Sequence, residues 1–405
     1  MLIITQHCFS NYRRAIFARL LTGAAGPKGR LLFGLNPPSS SVETYKSIEA
    51  IPPADAVDPG QYVMLQNQWL SGNTILWQSG LLCEIIKPDV KCIVFEGCSW
   101  HLSTWVGMFI ARMMGKRVGL WTHGAKRPLR GLKRLIKTVF YRIPHFLLCY
   151  GSHGRSSLMN MGIPSQRIHP IHNCLDFDAQ MALASKVTTT ELTACRESLF
   201  KEPELPIFLW IGQLTKWRRL DLLLDALAKL RDEGFMANAL FVGRGEDKAE
   251  LQARAKSLGI EDRVVFYGAC YEEFRIARLI MLSKVLVSPG PVGLSCIHAM
   301  TYGLPVLTSE QESQGPEIDA IIPGVTGDFF RTGDVQEMAA KMRIWAEAEH
   351  QVIRKNTQAI VRDFFSIDYQ CAIYRKVLSG EDSSGWDWAE RFKLGHRCPF
   401  EESSL

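Results

Sequence analysis

Residues 285–307 constrain the fold more than any other stretch of the chain. Val285-Leu286-Val287 is a short apolar run that reads as a buried strand. Ser288-Pro289-Gly290-Pro291 breaks it, a helical pattern runs from about 293 to 302, and Gly303 stops that helix. Leu304-Pro305-Val306-Leu307 then opens a second strand. Strand, tight loop, helix and strand in this order form one unit of a parallel sheet. The loop and first helical turn leave backbone N–H groups unpaired at a site of partial positive charge, so an anion fits there. Gly290, Gly293 and Ser295 are small enough for a ligand to approach the backbone. An ordinary βα turn with a glycine at the helix start accounts for the same residues, and this stretch alone does not choose between the two.

The alternation recurs throughout. In the first half, strand patterns at 2–6, 92–96, 117–121, 146–150 and 168–171 alternate with helical patterns at 12–21, 102–114, 130–141 and 152–161. Residues 31–34 read as a further strand inside a stretch rich in Gly, Pro and Ser, and the periodicity of 69–86 predicts a helix after a turn at Gln66-Asn67. Residues 176–206 are polar with helical stretches and end in Lys201-Glu202-Pro203-Glu204-Leu205-Pro206, which reads as a hinge. The pattern restarts with strands at 207–211, 239–242 and 264–267, helices at 220–231, 247–258 and 272–282, and three closing helices between 335 and 378. A chain of 405 residues is long enough for two such domains, each with its own core. The expected class is therefore α/β, with two Rossmann-like, doubly wound domains facing across a cleft, and ligands at the carboxyl ends of the strands.

Composition narrows the function classes. A net charge of +6 suits phosphate-bearing ligands or an anionic membrane surface. Eleven cysteines without a C-x-x-C pair argue against a zinc site or a disulfide framework and fit reduced thiols in a cytosolic protein. No run approaches 18 apolar residues, and Met1-Leu2-Ile3-Ile4 is too short for a signal peptide, so an integral membrane protein is not expected. No nucleic-acid module is recognisable.

Four strand ends carry candidate chemistry. Gly212 to Arg219 places Lys216, Arg218 and Arg219 just past the first strand of the second domain, where a diphosphate would find forked and point-charge donors. A solvated charge run before a helix is the alternative. Gly243-Arg244-Gly245 ends the second strand and Tyr267-Gly268 the third; simple turns explain both equally well. His123-Gly124 ends a strand of the first domain, where a histidine can orient a sugar hydroxyl or serve a leaving group. The segment 130–142 interleaves Arg130, Lys133, Arg134, Lys137 and Arg142 with Leu132, Leu135, Ile136, Val139 and Phe140, a pattern suited to an anionic membrane surface as well as to an ordinary surface helix.

Taken together and in order, these pieces resemble the retaining glycosyltransferases of family 4, which have the GT-B fold. The resemblance runs from residue 2 to about 378 and is strongest over 207–330. Tyr12-Arg13 precedes a Phe- and Leu-bearing helix as in that family's first loop, and His123 falls where the family carries an active-site histidine. Asn173-Cys174-Leu175-Asp176 resembles its N-x-x-D, Gly212 to Arg219 its G-R-L-x-x-x-K-G, Gly243-x-Gly245 its G-x-G, and 324–330 its C-terminal G-x-x-G stretch. The departures fall at the donor site. The family's E-x7-E glutamates, which touch the donor hexose and the ribose, fall on Gly290 and His298, and its Arg and Lys pair falls on Gln213 and on Arg218 or Arg219.

The resemblance implies an acceptor-binding domain at 1–200 and a nucleotide-sugar-binding domain at 207–365. It implies a segment 366–405 made of a helix returning towards the first domain and a flexible tail. His123, Arg218 and Arg219 are the expected catalytic residues. Gln213, Lys216, Gly243, Tyr267, Gly290, Val292, Gly293, Leu294, Ser295 and His298 are the expected donor-binding set, with His298 bonding the ribose in place of Glu. Tyr12 and Arg13 are expected to bind the acceptor. The implied reaction is transfer of a hexose or deoxyhexose from a UDP- or GDP-linked donor to a hydroxyl of a saccharide or lipid-linked saccharide. Retention by front-face attack is implied, with no metal or other cofactor. The implied setting is the cytoplasm, peripherally at the inner face of the membrane, in the synthesis of cell-surface polysaccharide, lipopolysaccharide or exopolysaccharide. Two alternatives stay open: an inactive sugar-nucleotide-binding or scaffold protein of the same fold, favoured by the missing glutamates, and a GT-B sugar-nucleotide epimerase.

Overall fold

Short apolar runs without polar alternation are stable only in sheets covered on both faces, and the chain builds two such sheets. The computed structural model describes residues 1–9, 13–23, 28–35, 59–125, 129–311 and 313–380. The first sheet comprises β1 (Leu2–Gln6), β2 (Gly29–Leu35), β3 (Tyr62–Leu70), β4 (Ile75–Ser79), β5 (Cys92–Glu96), β6 (Arg117–Thr122), β7 (Phe146–Cys149) and β8 (Ile168–Pro170). Their order is β4-β3-β2-β1-β5-β6-β7-β8, parallel except for the β3–β4 pair. The second comprises β9 (Ile207–Ile211), β10 (Asn238–Val242), β11 (Val264–Gly268), β12 (Val285–Ser288), β13 (Val306–Ser309) and β14 (Gly327–Phe330). Its order, β11-β10-β9-β12-β13-β14, is the doubly wound 3-2-1-4-5-6 arrangement, all parallel. Strand order reverses between β1 and β5 in one sheet and between β9 and β12 in the other, so each has a crevice at those carboxyl ends.

The chain divides into two compact units. One holds Met1–Leu175 and the helix Ile367–Ser379; the other holds Asp176–Ser366. In the first, Phe95, Phe140, Tyr141 and Leu147 are fully buried in the core. In the second, Phe208, Trp210 and Phe241 pack against Leu223, Leu227 and Leu230 of the helix Leu220–Asp232. Each fully buried aliphatic or aromatic side chain of this kind contributes roughly 1.5–3 kcal/mol. The helix Ile367–Ser379 is tied into the first unit: Gln370 Nε2 donates to the His172 carbonyl at 2.8 Å, and Arg117 Nη1 donates to the Leu378 carbonyl at 2.9 Å.

Two expectations give way to the structure. The helix expected over 69–86 is an antiparallel hairpin, β3 and β4, with Leu70 opposite Ile75, followed by the short helix Leu81–Ile85. Ser71, Gly72 and Asn73 all take positive φ (49°, 65° and 66°), which turns the chain back where a helical period had suggested continuation. Gln66 and Asn67, expected in a turn, lie inside β3. The boundary between units also falls earlier than 200. Asp176 caps the helix Phe177–Ala184 by accepting from Ala179 N–H at 3.1 Å, and Gln180 on that helix donates to Glu273 Oε1 at 3.0 Å. Residues 176–200 therefore belong to the second unit, because a capped helix encodes its ends but not the sheet it covers.

The helix Gly131–Arg142 buries Phe140 and Tyr141 but leaves Leu132 and Leu135 70% and 60% exposed. On the helix Leu102–Met113, joined to it by Trp105 whose ring centre lies 4.9 Å from that of Phe140 with the planes tilted by 51°, Phe109 and Met113 are exposed too. Among the described residues no helix is long and apolar enough to cross a membrane.

Candidate functional site

At the switch point of the second sheet, three loops are clasped backbone to backbone, and only glycine permits it. A Cβ on Gly243, after β10, would lie 1.8 Å from the Gly212 carbonyl oxygen that follows β9. A Cβ on Gly290, after β12, would lie 2.6 Å from the Trp217 carbonyl and 2.7 Å from that of Arg218. Gly290 N–H donates to the Arg218 carbonyl at 2.9 Å, closing the clasp. No side chain of any kind, carboxylate included, fits at 290 without moving the loop at 216–218.

Arg218 is the cation this clasp holds in place. Its Nη1 donates to the Pro291 carbonyl, its guanidinium lies 5.7 Å from the centre of the Trp210 ring, and burial lowers its pKa. It stays charged, since arginine does not lose its proton in proteins. Arg219, at φ 51°, turns the other way and forks onto Asp221 at 3.0 and 3.2 Å. Lys216 and Gln213 are exposed, Lys216 standing 3.6 Å from Glu250. Tyr267 ends β11 partly exposed. The structure thus unites Gly243, Gly290 and Arg218, while the side chains of Gln213, Lys216 and Arg219 face solvent or local partners.

In the loop after β12, Val292 N–H is already bound to Gln314 Oε1 at 2.8 Å. Gln314 is braced in turn by bonds to Thr308 Oγ1 at 3.0 Å and the Ser309 carbonyl at 2.7 Å. Of the expected anion-facing amides, that of Val292 is therefore taken, whereas the space beside Gly293 is open. Leu294 and Ser295 are partly exposed at the start of the helix Ser295–Thr301. On that helix His298 Nε2 lies 2.7 Å from Glu273 Oε1, which also accepts from Tyr302 Oη at 2.6 Å. Burial pushes the Glu273 carboxyl up, but the bonds from His298, Tyr302 and Gln180 outweigh it and bring it down to about 2. The carboxylate accepts, so His298 Nε2 carries the hydrogen. His298 Nδ1 has no hydrogen-bond partner among the described residues.

In the first unit, Arg13 donates to Gln6 Oε1 at 2.6 Å and to Tyr150 Oη, and its guanidinium lies 5.1 Å from the Trp121 ring centre. The exposed His123 stacks on Tyr150 with 4.1 Å between ring centres. The carboxyl ends of β1, β6 and β7 thus assemble Arg13, His123 and Tyr150. Tyr12 lies outside the described residues.

Sequence reading missed a pair at this unit's own switch point. His7 follows β1 and Glu96 ends β5; Nδ1 lies 2.6 Å from Oε1, and His7 N–H donates to Oε2 at 2.5 Å. Burial opposes charge on both, but their mutual attraction wins, raising His7 to about 12 and lowering Glu96 from 4.5 to about 2. A strand-end His and a strand-end Glu were visible; their separation of 89 positions hid the pairing. The depressed Glu96 contributes stability that is present above pH 4.5 and lost as pH falls towards 2. The raised His7 contributes stability that is full below 6.5 and is lost only as pH rises towards 12. Glu96→Gln should therefore lower unfolding free energy at pH 6 by on the order of 2 kcal/mol. It should also flatten the acid limb; urea unfolding from pH 6 to 3 measures both, and equal slopes would contradict the pair's role.

Comparison with known proteins places this geometry. Residues 193–360 match the family described as glycosyl transferases group 1. A lipopolysaccharide 1,6-galactosyltransferase of Salmonella typhimurium is 25% identical over 181 residues, covering 42% of this chain and 49% of that protein. An alpha-D-kanosaminyltransferase of Streptomyces kanamyceticus is 22% identical over 187 residues, covering 44% and 46%. The chain spans about half the length of the curated relatives it matches. The crystal structure of HepE from Anabaena in complex with UDP superposes with a TM-score of 0.67 at 19% identity, covering 94% of this chain and 99% of that one. The apo form of the lipopolysaccharide outer core galactosyltransferase WaaB gives 0.64 at 16%, covering 94% and 100%. The fold is that of the GT-B glycosyltransferases.

Proposed function

We propose that this chain is a glycosyltransferase that moves a sugar from a UDP-linked donor to a hydroxyl of a saccharide acceptor, with retention. The observation that carries the reading is the clasp: Arg218, desolvated over Trp210 and bound to the Pro291 carbonyl, stands at the switch point of a doubly wound sheet. It does so inside the segment that matches the group 1 glycosyl transferases. As the glycosidic bond breaks, the departing diphosphate gains charge, and a preorganised cation beside it lowers the barrier without reorganising. Arg218 fills that role in this reading and no metal is assigned one. Gly293 lets the donor reach the backbone, and His298 Nδ1 hydrogen-bonds a ribose hydroxyl. UDP is preferred over GDP because HepE, alike in fold, was crystallised with UDP and with UDP-glucose. His123 and Arg13 are assigned to the acceptor side, His123 to a sugar hydroxyl. The galactosyltransferase relatives support an acceptor in lipopolysaccharide or another surface polysaccharide.

The exposed Leu132 and Leu135, beside Lys133, Arg134 and Lys137, support peripheral attachment to an anionic membrane on the cytoplasmic side. A lipid-linked saccharide fits that placement.

Titration calorimetry with UDP and GDP, followed by sugar release from UDP-glucose and UDP-galactose, tests the reading. Binding of UDP with turnover is the expected result. Binding without turnover supports an inactive binder, which the absence of room for a carboxylate at 290 also favours; no binding of either nucleotide removes the reading. Flotation of the same preparation with phosphatidylglycerol but not phosphatidylcholine vesicles is expected, and equal behaviour on both would remove the membrane assignment.

A further inference from the structure

The second unit holds another cavity at the opposite end of its sheet. Lys284 immediately precedes β12, and Gly303-Leu304 lie just before β13, so they mark the amino ends of strands whose carboxyl ends carry the clasp. A cavity of about 240 Å³ opens there, lined by Arg196, Lys284, His350 and Arg354 together with Tyr302 and Gly303. Arg196, Lys284 and Arg354 form no ion pair among the described residues. Arg196 gives one Nη to the Leu205 carbonyl at 2.9 Å, and Glu204 acts on it only through space. Arg196 Nε and His350 Nε2 are buried with no hydrogen-bond partner.

These cations disturb one another. Burial first, then Arg196 and Arg354, lower Lys284; burial first, then Lys284 and Arg354, bring His350 down to about 4. The arrangement is also built rather than incidental. Gly303 takes φ 84°, and a Cβ there would lie 2.3 Å from Arg354 Cγ, so the glycine lets the arginine stem lie against the turn. Like charges gathered in a partly desolvated hollow are costly unless an opposite charge joins them. Two arginine forks and an ammonium suit an anion with several acceptor oxygens better than a single carboxylate. The volume is below the roughly 300–1,000 Å³ of sites for drug-sized ligands, so a nucleotide is too large.

We propose that this cavity binds a small phosphate dianion, either inorganic phosphate or a compact phosphate monoester. The assignment does not depend on the donor site or on turnover. Calorimetric titration with inorganic phosphate and with glycerol phosphate, at ionic strength held constant with chloride and with UDP present to occupy the donor site, tests it. One saturable phosphate site is expected. Lys284→Met and Arg354→Gln should each weaken it about tenfold or more, since each removes a charged donor. Lys284→Met should also raise Tm in phosphate-free buffer by relieving repulsion, a readout independent of binding. Tighter binding of the ester identifies a monoester as the ligand; tighter binding of inorganic phosphate identifies the free ion. Unchanged affinity in both variants, or loss of the phosphate signal once UDP is added, would overturn the proposal. Arg354 is exposed and Arg354→Gln keeps the Cβ and Cγ that lie against Gly303, so the variant is expected to fold, and its thermal melt checks this.

Discussion

Arg218→Ala is expected to lower turnover of the UDP-sugar about 10²–10³-fold, the usual consequence of removing one preorganised donor from a developing anion. The reasoning rests on where the guanidinium stands. It is partly desolvated over Trp210 and anchored to the Pro291 carbonyl, so its remaining N–H groups are held ready at the switch point. Lys in its place should recover little, because a point charge cannot both hold Pro291 and fork onto a diphosphate. Arg219→Ala should cost far less, since that guanidinium is already committed to Asp221 in solvent. Steady-state kinetics of the two variants side by side are decisive. Equal losses would mean that the cations act only as a diffuse positive field.

Gly290→Glu, the substitution that would recreate the first glutamate of the resembling family, should destroy nucleotide binding rather than improve it. A Cβ at this position meets two backbone carbonyls at 2.6 and 2.7 Å, and backbone cannot rotate aside as a side chain can. Gly290→Ala should already cost about 3 kcal/mol or more of local or global stability. Opening the clasp also releases the Gly290 N–H to Arg218 carbonyl bond at 2.9 Å and with it the position of Arg218. Thermal melts and UDP titration of both variants measure this. A stable Gly290→Glu protein that binds UDP more tightly would show that the loop at 216–218 moves freely, and the account of the clasp would be wrong.

Much of the architecture was legible because it is written locally. Runs such as Ile207–Ile211 and residues 285–287 are apolar at every position, as an interior parallel strand requires. Glycine and proline punctuate the units between them, but the segment 201–206 read as a hinge lies inside the second unit, which begins at Asp176. The hairpin of β3 and β4 was misread because its strands share an apolar spacing with a helix, and the deciding feature was the left-handed run Ser71-Gly72-Asn73. The site was legible only as a set of strand ends. Gly290 was marked as a small residue for a ligand to approach and Gly243 as a glycine at a strand end, yet what crowds both is the neighbouring loops of the chain itself.

The sequence by itself determined the period of most elements, β3 and β4 excepted, together with the doubly wound class and the strand ends at which chemistry gathers. Those properties depend on neighbours within a few residues. The tertiary structure alone decided that Arg218 rather than Arg219 is held at the switch point and that His298 is oriented by Glu273. It alone also paired His7 with Glu96 and gathered Arg196, Lys284 and Arg354 around one cavity. Each of these joins groups from different loops or helices. Their distance in space is set by how strands stack in the sheet, and no local pattern of residues records it.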